Sequence, residues 1–338
     1  MAHEGTYTYS QLSASSAGHF VASHYDLAGP LRSKFYVLGL HDNYLIENAS
    51  AKYILRIYRN DWRSPEEIYF ELEFLAHLGD RNAQVAYPVR TTGGELWFRV
   101  ESPEGERMAA LFHYAEGRAP GDAMTADECV LLGRAVSNVH RIADSFTTHR
   151  TRRELDAHFL LDESIEAIKP FVDINARSYL EELHKRLRRA WPGIPKAAGI
   201  FGLCTGDVNA RNFHIDGNRH ITLFDFDQCG YGFRAFEIGK FCSSLHSHKM
   251  KQVLVDAFLE GYQQGRRLSR AEYAAIPYFQ LVAVIWVMAI HAKNVNRIGY
   301  KLLDQPFWNK RLATLKELES VVLVVLGSDS KFTEILGE

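Results

Sequence analysis

Apolar positions alternate over short runs in the first third of the chain and recur at helical spacing in most of the remainder. Between residues 7 and 30, Phe20, Val21 and Tyr25 are roughly helically spaced and Gly29-Pro30 interrupts them, which predicts one leading helix. Three β-rich runs follow: Phe35-Tyr36-Val37-Leu38, Tyr44-Leu45-Ile46 and Tyr53-Ile54-Leu55-Arg56-Ile57-Tyr58. Turn-forming segments at 39–43 and 48–52 separate them, so the pattern predicts an antiparallel meander. Ser64 with Glu67 forms a capping-box signature, and Ile68, Leu72, Leu75 and Leu78 place one helix after the meander. Further strands are expected at 85–91, 95–101 and 108–114.

Past Gly117 and Pro120 the period changes. Helices are predicted over 125–144, where Leu131, Leu132, Val136, Val139 and His140 share a face, then over 164–171 and 177–191. Two short strands, 213–215 and 221–224, flank the turn Asp216-Gly217-Asn218 and predict a hairpin. The most apolar run, 276–292, carries Pro277 and Gln280 and is shorter than a bilayer span, so it is expected to be a buried core helix. The expected fold class is therefore α+β, with a sheet-and-helix lobe over 1–112 and a mostly helical lobe over 113–338.

Composition narrows the function. The chain has 338 residues, 46% of them hydrophobic, with 39 Lys+Arg against 41 Asp+Glu. That balance argues against general nucleic-acid binding, which calls for a basic excess. The aromatic share of 12% argues against disorder. Cys129, Cys204, Cys229 and Cys242 show no CxxC spacing and read as buried thiols of a reducing compartment. With no signal-like start and no expected membrane span, a cytoplasmic location is expected.

The densest polar chemistry is Cys204-Thr205-Gly206-Asp207-Val208-Asn209-Ala210-Arg211-Asn212-Phe213, followed by the hairpin and then Phe224-Asp225-Phe226-Asp227. An Asp five residues before an Asn, then a hairpin, then Asp-x-Asp at a strand end, brings three or four oxygen ligands into one small volume. Mg²⁺ is commonly held by one or two carboxylates together with substrate phosphates, and phosphoryl transfer needs a carboxylate near the attacking hydroxyl, a place suited to Asp207. Singly, each residue has an ordinary explanation: Asp207 and Asn212 as caps, Asp225 and Asp227 as solvated strand-end charges. Their order and spacing together favour the site.

On these residues the chain resembles the aminoglycoside phosphotransferase and choline kinase family, which has the protein-kinase-like fold and the loop pattern His-Gly-Asp-x-x-x-x-Asn. The resemblance runs over about residues 30–320 and is nearest the homoserine-kinase-like and stress-response-kinase-like branch, through Tyr53–Arg59 and the segment 286–299. It implies that Asp207 is the catalytic base, that Asn212 and Asp225 are metal ligands with Asp227 available to assist, and that the cofactors are ATP and Mg²⁺. It also implies that Arg56, where the family has Lys, steadies nucleotide phosphates and pairs with Glu71, with Glu73 as the alternative. Gly39-Leu40-His41-Asp42-Asn43 would cover the phosphates, with Gly39, His41 and Asn43 as nucleotide contacts. Phe112-His113-Tyr114-Ala115 would be the hinge whose backbone meets adenine. Thr205 stands where the family has His, removing an imidazole that would brace the loop. Glu237 falls where relatives carry a bracing Asp, while His140, His246 and His248 read as core or capping residues.

The implied activity is transfer of the γ-phosphoryl group of ATP to a hydroxyl of a small molecule such as an antibiotic or amino alcohol. Two alternatives remain open: a protein Ser/Thr kinase, and a nucleotide-binding pseudokinase motivated by Arg56 and Thr205. The expected partners are a nucleotide and a small acceptor, with neither nucleic acid nor membrane. Acceptor candidates are 158–169, 177–191 and 286–297. Lys185, Arg186, Arg188 and Arg189 would suit an anionic acceptor or else form a solvated face. Lys293, Asn294 and Arg297 stay unassigned.

Overall fold

The computed structural model describes residues 6–191, 196–245 and 250–326, with side chains to residue 322, so His246 and His248 lie outside the described residues. The chain forms two compact units. The first comprises 1–117 together with 146–152 and 222–224; the second comprises 118–145, 153–221 and 225–338.

The first unit is built on five strands: β1 (Arg32–Leu38), β2 (Asp42–Glu47), β3 (Lys52–Ile57), β4 (Phe98–Val100) and β5 (Arg107–His113). They form one antiparallel sheet of order β1-β2-β3-β5-β4. Asn43 pairs with Arg56 across β2 and β3, and Arg56 with Ala110 across β3 and β5, so Arg56 sits on the central strand. Helix α1 (Ala14–His24) packs Ala17 and Val21 into a core with Tyr44, Ile46, Leu55, Ile57 and Leu111. Helix α2 (Pro65–Gly79) starts at the expected Ser64–Glu67 capping box and buries Ile68, Glu71, Leu72, Leu75 and Leu78. Phe146 joins this unit because its ring packs on Phe70, Phe74 and His77 at 5.2–5.5 Å.

The expected strand at 85–91 does not form. Pro88 has no N–H to donate to a ladder, and the segment makes isolated bridges instead: Val85 with Leu223 and Pro88 with Phe112. The expected strand at 95–101 contracts to the three residues of β4.

In the second unit, helix α3 (Ala126–Ala143) has its own capping box, Thr125 with Glu128. It crosses α7 (Lys251–Gly265) at two glycines: a Cβ at Gly133 would stand 2.0 Å from the Phe258 carbonyl oxygen, and one at Gly261 would stand 2.0 Å from that of Val130. The backbones meet where neither residue carries a side chain. The predicted helix at 164–171 is a π turn at His158–Asp162, then α4 (Glu163–Ile168) and a 3-10 turn. Helix α5 spans Ile174–Ala190.

The strands β7 (Phe213–Ile215) and β8 (Ile221–Leu223) flank a turn in which the Asp216 N–H donates to His220 O at 3.0 Å, as the hairpin signal required. Two strands carried no such signal, β6 (Phe201–Cys204) and β9 (Gly230–Phe233), which pair antiparallel with Cys204 opposite Gly230. Helix α6 (Arg234–Ser244) follows directly. The apolar run lies in α8 (Arg270–Lys293), which meets the length and hydropathy of a membrane span, although 61% of its apolar window is buried within the protein. Short α9 (Val295–Ile298) and α10 (Gln305–Leu326) complete the unit.

Candidate active site

Asp207 stands in the loop that leaves β6, and two neighbours fix its carboxylate. Lys240 Nζ lies 2.6 Å from Oδ1, and Asn212 Nδ2 donates to Oδ2 at 3.0 Å. The same Asn212 amide also donates to the Asp207 carbonyl at 3.0 Å, so the five-residue spacing closes the loop on itself. Gly206 makes the approach possible. It has φ 89°, and a Cβ there would stand 2.0 Å from Gln228 O, so the loop carrying Asp207 and the segment 225–228 can touch only at a glycine.

A buried carboxylate braces this loop. Glu237, in the first turn of α6, accepts from the Thr205 N–H at 3.2 Å, from the Gly206 N–H at 2.8 Å, and from the Thr205 hydroxyl. It also accepts from His140 Nε2 at 2.5 Å, while the Tyr262 hydroxyl donates to His140 Nδ1 at 2.8 Å and Arg266 donates to that hydroxyl oxygen at 3.3 Å. Burial alone would raise the Glu237 pKa, but the hydrogen bonds from His140, Thr205 and Gly206 outweigh it and hold the carboxyl below its ordinary value. Burial holds His140 below its own usual value, which fits a neutral ring donating from Nε2. Thr205 and His140 thus share the bracing expected of one imidazole in the loop. Cys204 lies within 4.8 Å of the ligand atoms of His140 and Glu237, but burial pushes its thiol well up, and the carboxylate oxygens already have their donors. This cluster is a hydrogen-bonded core rather than a metal centre.

Asp225 and Asp227 differ. Asp225 is exposed and adopts φ 65°, a left-handed conformation seldom used by a residue with a Cβ. Asp227 is buried and accepts from Gln228 Nε2 at 2.7 Å. With the Asn212 amide nitrogen committed to Asp207, Asn212 Oδ1 stays available, and it and the carboxylates of Asp225 and Asp227 are hard oxygen donors of the kind that suits Mg²⁺.

In the first unit, Arg56 Nη1 lies 3.2 Å from Glu71 Oε1, and its Nε is 3.4 Å from Asn43 Oδ1. Glu71 is fully buried, whereas Glu73 pairs with Arg150 at 3.2 Å, so the structure selects Glu71 as the partner of Arg56. Gly39 N–H donates to His41 O at 3.1 Å in the reversal between β1 and β2. His41 is buried, with Nδ1 accepting from the Arg59 N–H at 3.2 Å, and Asp42 pairs with Arg107 at 2.7 Å. The His113 and Tyr114 N–H groups donate to Tyr87 O at 3.1 Å and Lys52 O at 3.3 Å, while the His113 ring packs 4.3 Å from Tyr87.

Sequence reasoning missed Lys240 and did not assign His140 to the loop. The signal for Lys240 was present: a lysine three residues after Glu237 within Ala-Phe-Glu-Ile-Gly-Lys-Phe-Cys is a charge in an apolar helix and requires a partner. The basic run of α5 is largely paired: Lys185 with Glu182 at 3.8 Å, Arg188 with Asp162 at 3.4 Å, and Arg186 with Glu319. Lys293 pairs with Glu163 at 3.3 Å.

A profile of the phosphotransferase enzyme family matches residues 38–275. An uncharacterised protein of Synechocystis sp. is 34% identical over 314 residues, covering 92% of this chain and 87% of that one. Among solved structures, a microcompartment-associated aminopropanol kinase superposes with a TM-score of 0.77 at 22% identity, covering 93% and 98% of the two chains. The amicoumacin kinase hAmiN, solved with AMP-PNP, Ca²⁺ and Ami, gives a TM-score of 0.76 at 19% identity, covering 91% and 94%. Both likenesses identify the fold as the protein-kinase-like α+β fold of small-molecule kinases.

Proposed function

Because this chain belongs to the phosphotransferase enzyme family, we propose that it moves the γ-phosphoryl group of ATP to a hydroxyl of a small molecule, with Asp207 as the catalytic base. The observation that supports this most is the fixed carboxylate of Asp207, held between Lys240 and Asn212 on a loop braced by Glu237. In the transfer, the acceptor oxygen bonds to the γ-phosphorus as the β,γ-bridging P–O bond breaks, ADP leaves with that electron pair, and the hydroxyl proton passes to Asp207. Most of the rate enhancement is positioning and charge neutralisation, so a base whose two oxygens are already held loses little freedom on reaction. Arg56, set by Glu71, steadies the nucleotide phosphates through a guanidinium suited to two-point contacts. Asn212 and Asp225 would hold Mg²⁺, with Asp227 assisting, and the bound ion would neutralise charge on the phosphate oxygens.

The test combines two readings on three proteins. Wild type should be stabilised against heat by MgATP and should release ADP when given its acceptor. Asp207→Ala should keep the thermal shift and lose ADP release by about a thousandfold or more. Asp225→Asn should lose the Mg²⁺-dependent part of the shift. Wild-type turnover in Asp207→Ala would remove the assignment of the base.

A further inference from the structure

We propose that the phosphoryl acceptor is a small hydroxylated anion, bearing a carboxylate or phosphate, bound in a cationic cavity of the second unit beside Lys240. This rests on the phosphotransferase reading above and adds the chemical class of its acceptor. The cavity has a volume of about 470 Å³, the size of a small-ligand site. It is tied to the catalytic loop by Asn209, Ala210 and Arg211, which follow Asp207 closely, and by Lys240, whose ammonium contacts the Asp207 carboxylate. An acceptor held there has its anchoring charges and the proposed base joined through one side chain.

The charge of the lining is one-sided. Arg211 is joined by Lys310 and Arg311 from α10, against the single carboxylate of Asp122, while the charge of Lys240 is met by Asp207. The chain as a whole carries −2, so this concentration of positive charge does not follow from the overall composition. Arg311 is the most telling of the three. It is only partly exposed, its guanidinium lies 5.2 Å from the Phe307 ring centroid, and no carboxylate of the described residues pairs with it. Burial pulls its pKa below the ordinary value, and its charge adds to the burial that holds neighbouring His291 down. A half-buried cation without a protein counter-charge is costly, and an anionic ligand would offset that cost. Val284, Val287 and Phe307 supply apolar wall for a short carbon skeleton. A polycationic acceptor would meet repulsion from this lining. The basic run of α5 offers no equivalent, because most of its charges are paired within the protein.

The experiment uses the full chain and a defined panel: glycerol 3-phosphate and glycerate as hydroxylated anions, glycerol as the neutral control, and ethanolamine and kanamycin as cations. Thermal unfolding without nucleotide reads binding, ADP release with MgATP reads transfer, and both are repeated on Lys310→Gln and on Lys310→Gln/Arg311→Gln. The expected result is stabilisation by one or both anions at about 5 mM, reduced in the single variant and lost in the double variant. ADP release should be confined to the anions, with the acceptor KM raised about tenfold or more by the single variant. The choice between glycerate and glycerol 3-phosphate tells which anionic group is read. If the double variant does not fold, the exposed Lys310→Gln alone decides by its KM. Selective anion binding without ADP release from any compound would keep the anionic site and remove the phosphotransferase reading. Transfer to ethanolamine, kanamycin or glycerol with the anions silent would keep the phosphotransferase and overturn the anionic acceptor, as would anions that neither bind nor react, or a shift that persists in both variants.

Discussion

Lys240 and Asp207 show how much one side chain can set at a proposed reaction centre. Lys240 is 5% exposed and its ammonium meets one carboxylate oxygen of Asp207, leaving Asn212 to hold the other. Replacing Lys240 with Met keeps most of the buried stem but deletes the charge, so Asp207 would turn on the Asn212 contact alone. The expected outcome is a fall in kcat of about ten- to a hundredfold with the KM for ATP nearly unchanged, read by steady-state ADP release. A purely structural role would instead lower the melting temperature and leave the kcat of the folded enzyme intact. Lys240→Arg should restore part of the rate, since a cation at this place is what Asp207 needs.

At the scale of elements, the Asp42–Arg107 pair joins three segments. Asp42 opens β2 and Arg107 opens β5, both fully or nearly fully buried, and Arg107 also donates to the carbonyls of Tyr58 at 2.9 Å and Ser10 at 3.0 Å. Tyr9 donates its hydroxyl to Asp42 at 2.9 Å, which ties the stretch before α1 to the sheet. Asp42→Ala leaves buried Arg107 with Glu104 at 3.5 Å as its remaining counter-charge and strips it of its closest charged acceptor, so it should destabilise the protein by about 1–3 kcal/mol in urea unfolding. A loss below about 1 kcal/mol would mean that the other acceptors of Arg107 suffice. The same residue marks what the sequence could convey. Turn propensity correctly placed a reversal between β1 and β2, but burial of Asp42 depends on Arg107, 65 residues further on, and no local pattern encodes that distance. Signals that act within a few residues were legible: the Ser64–Glu67 box, the hairpin after Asp216, and the spacing that closes Asn212 on Asp207. The pairing of β6 with β9 was not legible, because a strand of four residues containing Gly202 and another containing Gly230 and Gly232 show no alternation to read. Nor was the division of bracing between Thr205 and His140, residues 65 positions apart that are brought together only on the shared carboxylate of Glu237.

For the whole molecule, these buried groups give stability a pH dependence with a definite sign. Burial holds His113, His140 and His291 below the ordinary histidine pKa of about 6.5. Desolvation is the leading cause in each case, and at His140 the nearby Arg234 and Arg266 add to it while Glu237 opposes it. Well above about pH 6.5 neither the folded nor the unfolded chain protonates these rings, so their contribution to stability is complete. As the pH falls below that value the unfolded chain takes up protons that the folded chain declines, and stability drops until the folded pKa of each ring is passed. Glu104, Asp216 and Glu237 are held below the ordinary carboxyl range and extend the loss in the same direction at lower pH, as the pH falls from their unfolded pKa values through their lower folded ones. Urea midpoints measured from about pH 7.5 to about 5.5 should therefore decrease steadily, and the decrease should be shallower in His140→Asn, which cannot take up that proton in either state. The variant should also be less stable at the upper end of that range, because Glu237 and the Tyr262 hydroxyl each lose a partner. An acid slope in His140→Asn equal to that of the wild type would show that the ring protonates as easily in the folded protein as in the unfolded chain, and the neutral donor assigned to Glu237 would have to be given up.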